Sequence, residues 1–110
     1  MTRGWPNLSD LLVGAAEEAP IGLVGAPLAA GSVTPGRCDL APAALRAILR
    51  RIGRYDVDTR RELSSRIADL GDVAITGLDI AAATAPIQAA VAQSVAVHAL
   101  TLVIGGNNAV

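Results

Sequence analysis

The sequence predicts an α/β fold built on a parallel sheet, on three observations. Short apolar runs of strand length alternate with helical segments in the order strand, helix, weak strand, helix, strand. Gly and Pro clusters mark most of the changes, and the apolar residues are almost all Ala, Leu, Val and Ile. Such alternation favours parallel pairing through right-handed crossovers. A length of 110 residues suffices for one small domain and lies at the low end for a layered fold.

Residues 1–20 read as a leader segment, in which Asn7 or Ser9 caps a short helix carrying Leu8, Leu11 and Leu12. The run Ile21-Gly22-Leu23-Val24-Gly25-Ala26-Pro27 has the length of a buried strand and is closed by Gly and Pro. Residues 28–41 hold Gly31, Pro35 and Gly36, too many breakers for a regular element, and form a long loop. The clearest helix comes next. Pro42 suits its first turn, Leu45, Ile48, Leu49 and Ile52 recur at helical spacing, and Gly53 ends it. Arg46, Arg50, Arg51 and Arg54 then read as its solvated face.

Thr59-Arg60-Arg61-Glu62 matches a capping box and predicts a short helical turn. Ile67-Ala68-Asp69 is the weak strand, ended by Leu70-Gly71-Asp72-Val73. Thr84 and Pro86 are expected to open an Ala-rich helix with Ile87, Ala90, Val91, Ser94 and Val95 along one stripe. Leu100-Thr101-Leu102-Val103-Ile104 is a buried strand halted by Gly105-Gly106.

Composition excludes several function classes. A net charge of −1 offers no electrostatic footprint for nucleic acid or an anionic membrane. From Ile80 to Val110 no residue is charged, but Pro86, Gln88, Gln93, Ser94 and His98 interrupt the stretch, and a helix followed by a strand explains it better than a membrane span. Cys38 is the only cysteine, which rules out an intramolecular disulfide or a cysteine zinc knuckle and fits a cytoplasmic setting. No dinucleotide fingerprint or phosphate loop is present, and the chain contains no lysine. His98, the sole histidine, reads as a surface cap near a helix C-terminus, so a serine or cysteine triad would have to rely on it.

Two loops remain, Gly25–Gly36 and Gly105–Asn108, each after the C-terminal end of an apolar strand. In open α/β sheets ligands bind at that edge. Taken by themselves, these glycines could equally do no more than make tight turns.

The order of several short motifs adds to this. Gly25-Ala26-Pro27, Gly31, Pro35-Gly36-Arg37 and Pro42 with Leu45-Arg46 resemble the N-terminal signature of the ureohydrolases, the arginase, agmatinase and formimidoylglutamase superfamily. Asp69-Leu70-Gly71-Asp72-Val73 is similar to that family's D-x-GD-V segment, and Leu102-Val103-Ile104-Gly105-Gly106 to the strand leading into its GGDHS. The resemblance runs from about residue 21 to 110 and implies a three-layer α/β/α, arginase-like fold, present as an incomplete N-terminal part. It also implies a site with two manganese ions, in which metal-activated hydroxide hydrolyses a C–N bond of a linear amidine or guanidine, in a cytoplasmic homo-oligomer.

Carried over residue by residue, the resemblance puts Gly105, Gly106 and Asn107 in the active-site loop and Pro27, Gly31 and Gly36 in a substrate-side loop. Asn107 stands where the family has Asp, Asn108 at the position of its first metal-binding His, and Ala109 where it has Ser. A neutral carboxamide oxygen is a poorer ligand than imidazole, and the family's D-x-H-x-D and D-x-D segments have no counterpart in these residues. The chain alone is therefore expected to be inactive and, with exposed sheet edges, marginally stable or dependent on other chains. Three readings stay open: part of a formimidoylglutamase-like hydrolase, a non-catalytic ureohydrolase-like protein acting in assembly or ligand binding, and an unrelated small α/β binding domain.

Overall fold

The computed structural model describes residues 5–32 and 36–107. Strand β1 (Leu12–Val13) follows a 3-10 turn at Leu8–Leu11, and β2 (Ile21–Ala26) comes next. A second 3-10 turn at Cys38–Leu40 opens into helix α1 (Ala41–Ile48), which leads through a third at Leu49–Arg51 to a hairpin of β3 (Tyr55–Asp56) and β4 (Arg61–Glu62). Then come β5 (Ile67–Asp72), helix α2 (Ile80–Val97) and β6 (Leu100–Gly105). The main sheet has the order β1-β5-β2-β6, and each of its pairings is parallel. The α/β prediction with a parallel sheet is met.

The apolar run of β2 explains its central place. Flanked by β5 and β6, the strand buries every residue from Gly22 to Ala26. The two helices lie on opposite faces. A Cβ at Gly22 would run into Ser94 and His98 of the α2 end, whereas one at Gly25 would meet Asp72 and Pro42 of α1. Positions three apart in a strand point to opposite faces, so the sheet is the middle of three layers. A small cluster of Leu28, Ile75 and Ala83 closes the C-terminal edge, with Ala30, Val73, Leu78 and Ile87 packed around it.

Several local expectations are corrected. Asn7 does cap the first turn, accepting from the Ser9 amide at 3.0 Å, but the turn is 3-10, not α-helical. The segment from Thr59 makes no helical turn. The Asp56 carboxylate accepts from the Asp58 amide (3.1 Å) and the Thr59 hydroxyl (2.8 Å), and this side-chain turn closes the β3–β4 hairpin before a capping box can form. Helix α1 stops at Ile48 and leaves Ile48 and Ile52 largely exposed, so its inner face is set by buried Pro42 with half-buried Leu45 and Leu49.

Helix α2 starts four residues before Thr84, because the Asp79 carboxylate caps the Ala82 amide at 2.7 Å. Pro86 therefore sits inside it. By length and composition α2 is apolar enough to cross a membrane, yet it packs along β2 and β6 with Ala83 and Ser94 buried. Of the expected stripe, Val95 is exposed. β5 continues past Asp69 to Asp72, with a shift of register against β2 between Leu23 and Gly25.

Candidate functional site

Parallel strands deliver their exits to one edge. β2 leaves into Pro27–Ser32, β6 into Gly106 and Asn107, and β5 into Val73–Leu78. The first two are fastened together. The Asn107 amide donates to the Leu28 carbonyl at 3.1 Å, and the Asn107 side-chain Nδ2 donates to the Ala30 carbonyl. Gly106 makes this possible, since a Cβ there would collide with the Leu28 backbone. The Leu28 carbonyl also faces the Cys38 thiol at 3.6 Å. Gly31, at φ +83°, lies beside Ile80 and the Asn107 side-chain carboxamide.

The two expected loops thus meet, through Gly105, Gly106 and Asn107 on one side and Leu28, Ala30 and Gly31 on the other. Gly36 does not join them: at φ +143° it turns the chain, and among the described residues no atom lies near its would-be side chain. Asn108 lies outside the described residues. Pro27 borders a cleft of about 350 Å³ between the 3-10 turn at Cys38–Leu40 and the Ile75–Leu78 segment, which Asp39 and Asp72 also line.

The charged groups near this edge are paired. Arg37 holds Asp39 through Nε and Nη2 at 3.0 and 2.9 Å, and those hydrogen bonds, assisted by the Arg37 charge, lower the Asp39 pKa from its ordinary value. Arg46 grips Asp69 with Nε and Nη2, both at 3.0 Å, and Asp72 with Nη1 at 2.6 Å. Partial burial opposes the Arg46 charge, but hydrogen bonds and charges of Asp72 and Asp69 outweigh it, and its pKa is raised. The expected solvated arginine face is therefore corrected. Arg50 and Arg51 are exposed, whereas Arg46 is an inward clamp and Arg54 sits 3.5 Å from Glu62.

His98 is also corrected. It is the residue that ends α2, but its Nδ1 lies 2.8 Å from the Ala19 carbonyl and its ring packs over Gly22, so it ties the helix end to the entry of β2. Ser94, buried beside it, shares a 2.7 Å hydrogen bond with Thr101. Ser94 and His98 line a second cleft, also about 350 Å³, between α2 and the end of β5.

Two manganese ions need a cluster of carboxylates and imidazoles. Among the described residues no three of His, Cys, Asp and Glu stand together to hold a metal. Asp69 and Asp72 are held by Arg46, the Asn107 carboxamide binds Ala30, and His98 is fixed to Ala19 at the start of β2. The donor set in the described part of the chain does not fit the pair of metals, and no reaction step can be drawn through them there.

The clamp of Arg46 on Asp69 and Asp72 was not predicted. Its partners are 23 and 26 residues away, a spacing to which helical and strand periodicities are blind. The available signal was the coincidence of Leu45-Arg46 and Asp69-Leu70-Gly71-Asp72 as two halves of one motif set.

A model of the arginase family matches residues 19–110. The fold is similar to the crystal structure of formimidoylglutamase from Bacillus subtilis subsp. subtilis str. 168, with a TM-score of 0.82 and 25% identity. That match covers 98% of this chain and 36% of the other, so the chain spans about a third of its structural neighbour's length. No curated protein matches by sequence.

Proposed function

Because the chain belongs to the arginase family, we propose that it forms part of a hydrolase of linear amidines or guanidines, supplying the sheet and one wall of the site. The observation that carries this reading is the fastening of the β2 and β6 exits, Asn107 to Leu28 and Ala30, at the edge where α/β sheets take ligands. A formimidoylglutamase-like substrate is favoured over arginine or agmatine, on the likeness to that enzyme. The role of these residues is structural support: they shape and close the edge, and manganese would have to be held by groups outside the described set.

The test is an assay of the native gene product, with manganese added, against formiminoglutamate, arginine, agmatine and guanidinobutyrate. Turnover of formiminoglutamate above the others is expected. A protein that hydrolyses none of the four would overturn the reading.

One observation favours a second reading, a non-catalytic arginase-like protein retained for assembly or ligand binding. Asn107, which takes the place of the family's Asp, uses its carboxamide as a fastener between loops. Metal analysis separates the two readings. Stoichiometric manganese in the purified native protein argues for the hydrolase, and its lack argues for the second reading.

A further inference from the structure

We propose that Arg46 is a positioning residue: with the bulged end of β5 it fixes where the Val73–Leu78 segment stands beside the loops leaving β2 and β6. This rests on the reading of that edge as the functional one.

The sequence Asp69-Leu70-Gly71-Asp72 accounts for the device. β5 pairs Asp69 with Leu23 and Asp72 with Gly25, so three steps on β5 match two on β2. The additional residue is a bulge. Gly71 takes φ +77°, which a glycine adopts without strain, and its amide donates to the Asp69 carboxylate at 3.0 Å. In a regular strand residues 69 and 72 would point to opposite faces. The bulge turns both carboxylates to the α1 side, where the Arg46 fork holds one with two hydrogen bonds and the other with a third. Gly25 leaves the space that the Asp72 carboxylate occupies.

The clamp sets the path of the chain beyond it. The Val73 amide donates to the Gly25 carbonyl at 2.8 Å, the Ile75 amide to Val73 (2.9 Å) and the Leu78 amide to Ile75 (3.1 Å). Ile75 then enters the core with Leu28, the residue that receives Asn107. One guanidinium thus links α1, the end of β5 and, through Val73 and Ile75, the floor of the cleft bordered by Pro27.

Magnitude favours positioning over stabilisation. The Arg46 side chain is 22% exposed and Asp72 39%. Asp69 is 26% exposed, and in partly exposed ion pairs the desolvation cost and the Coulomb attraction nearly cancel, whereas a guanidinium forked over two carboxylates is strict about geometry.

The test is native-state hydrogen exchange on the native gene product and its Arg46→Met, Arg46→Lys and Asp72→Asn variants. In Arg46→Met the Gly71 and Val73 amides are expected to exchange at least about tenfold faster while those of β6 keep their protection. Arg46→Lys should recover only part of the loss, since one ammonium cannot grip both carboxylates in the same plane. If Arg46→Met does not fold, Asp72→Asn keeps the Asp69 pair and should still loosen Val73. Unchanged exchange at Val73, or an equal loss in β5 and β6, overturns the proposal. Where the native protein is active, KM should rise with kcat retained. Exchange is read without substrate, so an inactive wild type would refute the hydrolase reading and leave the Arg46 question decided by the amides.

Discussion

β2 and β6 are both six-residue, uncharged strands of similar apolar content, yet they live in different surroundings. In β2, Leu23 and Val24 are 3% and 2% exposed and Ala26 is fully covered. In β6, Leu100 and Leu102 are 53% and 39% exposed. The difference comes from sheet order. β2 has a strand on each side and a helix end over each face, whereas β6 stands at the rim of the four-stranded sheet with β2 on one side. Apolar character records what a segment could bury; topology decides what it does bury. The C-terminal corner of β2 is correspondingly tight in its contacts, and the flank formed by α2 and β6 is loose, with Val95 and Val97 in the open.

The sharpest way to break this contrast is Leu28→Ala. Leu28 is buried at 2% exposure beside Ile75 and receives Asn107 through its carbonyl, so the truncation should cost roughly 2–5 kcal/mol, read as a lowered denaturant midpoint at unchanged slope. Gly25→Ala comes next, at roughly 1–3 kcal/mol. The new methyl meets the Asp72 carboxylate and Pro42, and the carboxylate can step aside only by leaving Arg46. A midpoint equal to wild type would show that the corner is looser than its contacts imply.

The opposite flank supplies the control. Val97→Gln, at a position 74% exposed, should change stability by no more than about 0.5 kcal/mol in the same titration. A larger loss would mean that this face is covered in solution. The smallest effect is pH-dependent. Arg37 holds the Asp39 carboxyl below its ordinary pKa, so this pair's contribution is present above the ordinary carboxylate range and fades as pH falls through the lowered value. Arg37 is exposed, so the effect should be slight, weaken in salt and vanish in Arg37→Ala when acid unfolding curves are compared.

Much of the fold was legible because short-range rules govern it. The β2 run between its breakers, Pro42 in a first turn and the Gly-Gly stop after β6 all come from backbone restrictions of single residues. Two of the failures have a common cause in side chains that competed for the same backbone. Asp56 took the turn that Thr59 and Glu62 suggested for a helix, and Asp79 capped α2 before Thr84 could. The site was legible to the level of which loops meet, through Gly106 and Asn107. What the loops rest on was not, because Arg46, Asp69 and Asp72 come together only after the sheet exists and after a bulge has turned one carboxylate around.

The sheet order carries a consequence for biosynthesis. Synthesis of β2 precedes that of its partners: β5 and β6 begin 46 and 79 residues after Ile21 (67 − 21 and 100 − 21). A ribosome adding about 5–20 residues per second needs several seconds to deliver both. Until β5 emerges this apolar strand of the nascent chain has neither neighbour, and β6, the later of the two, is the one that completes its pairing.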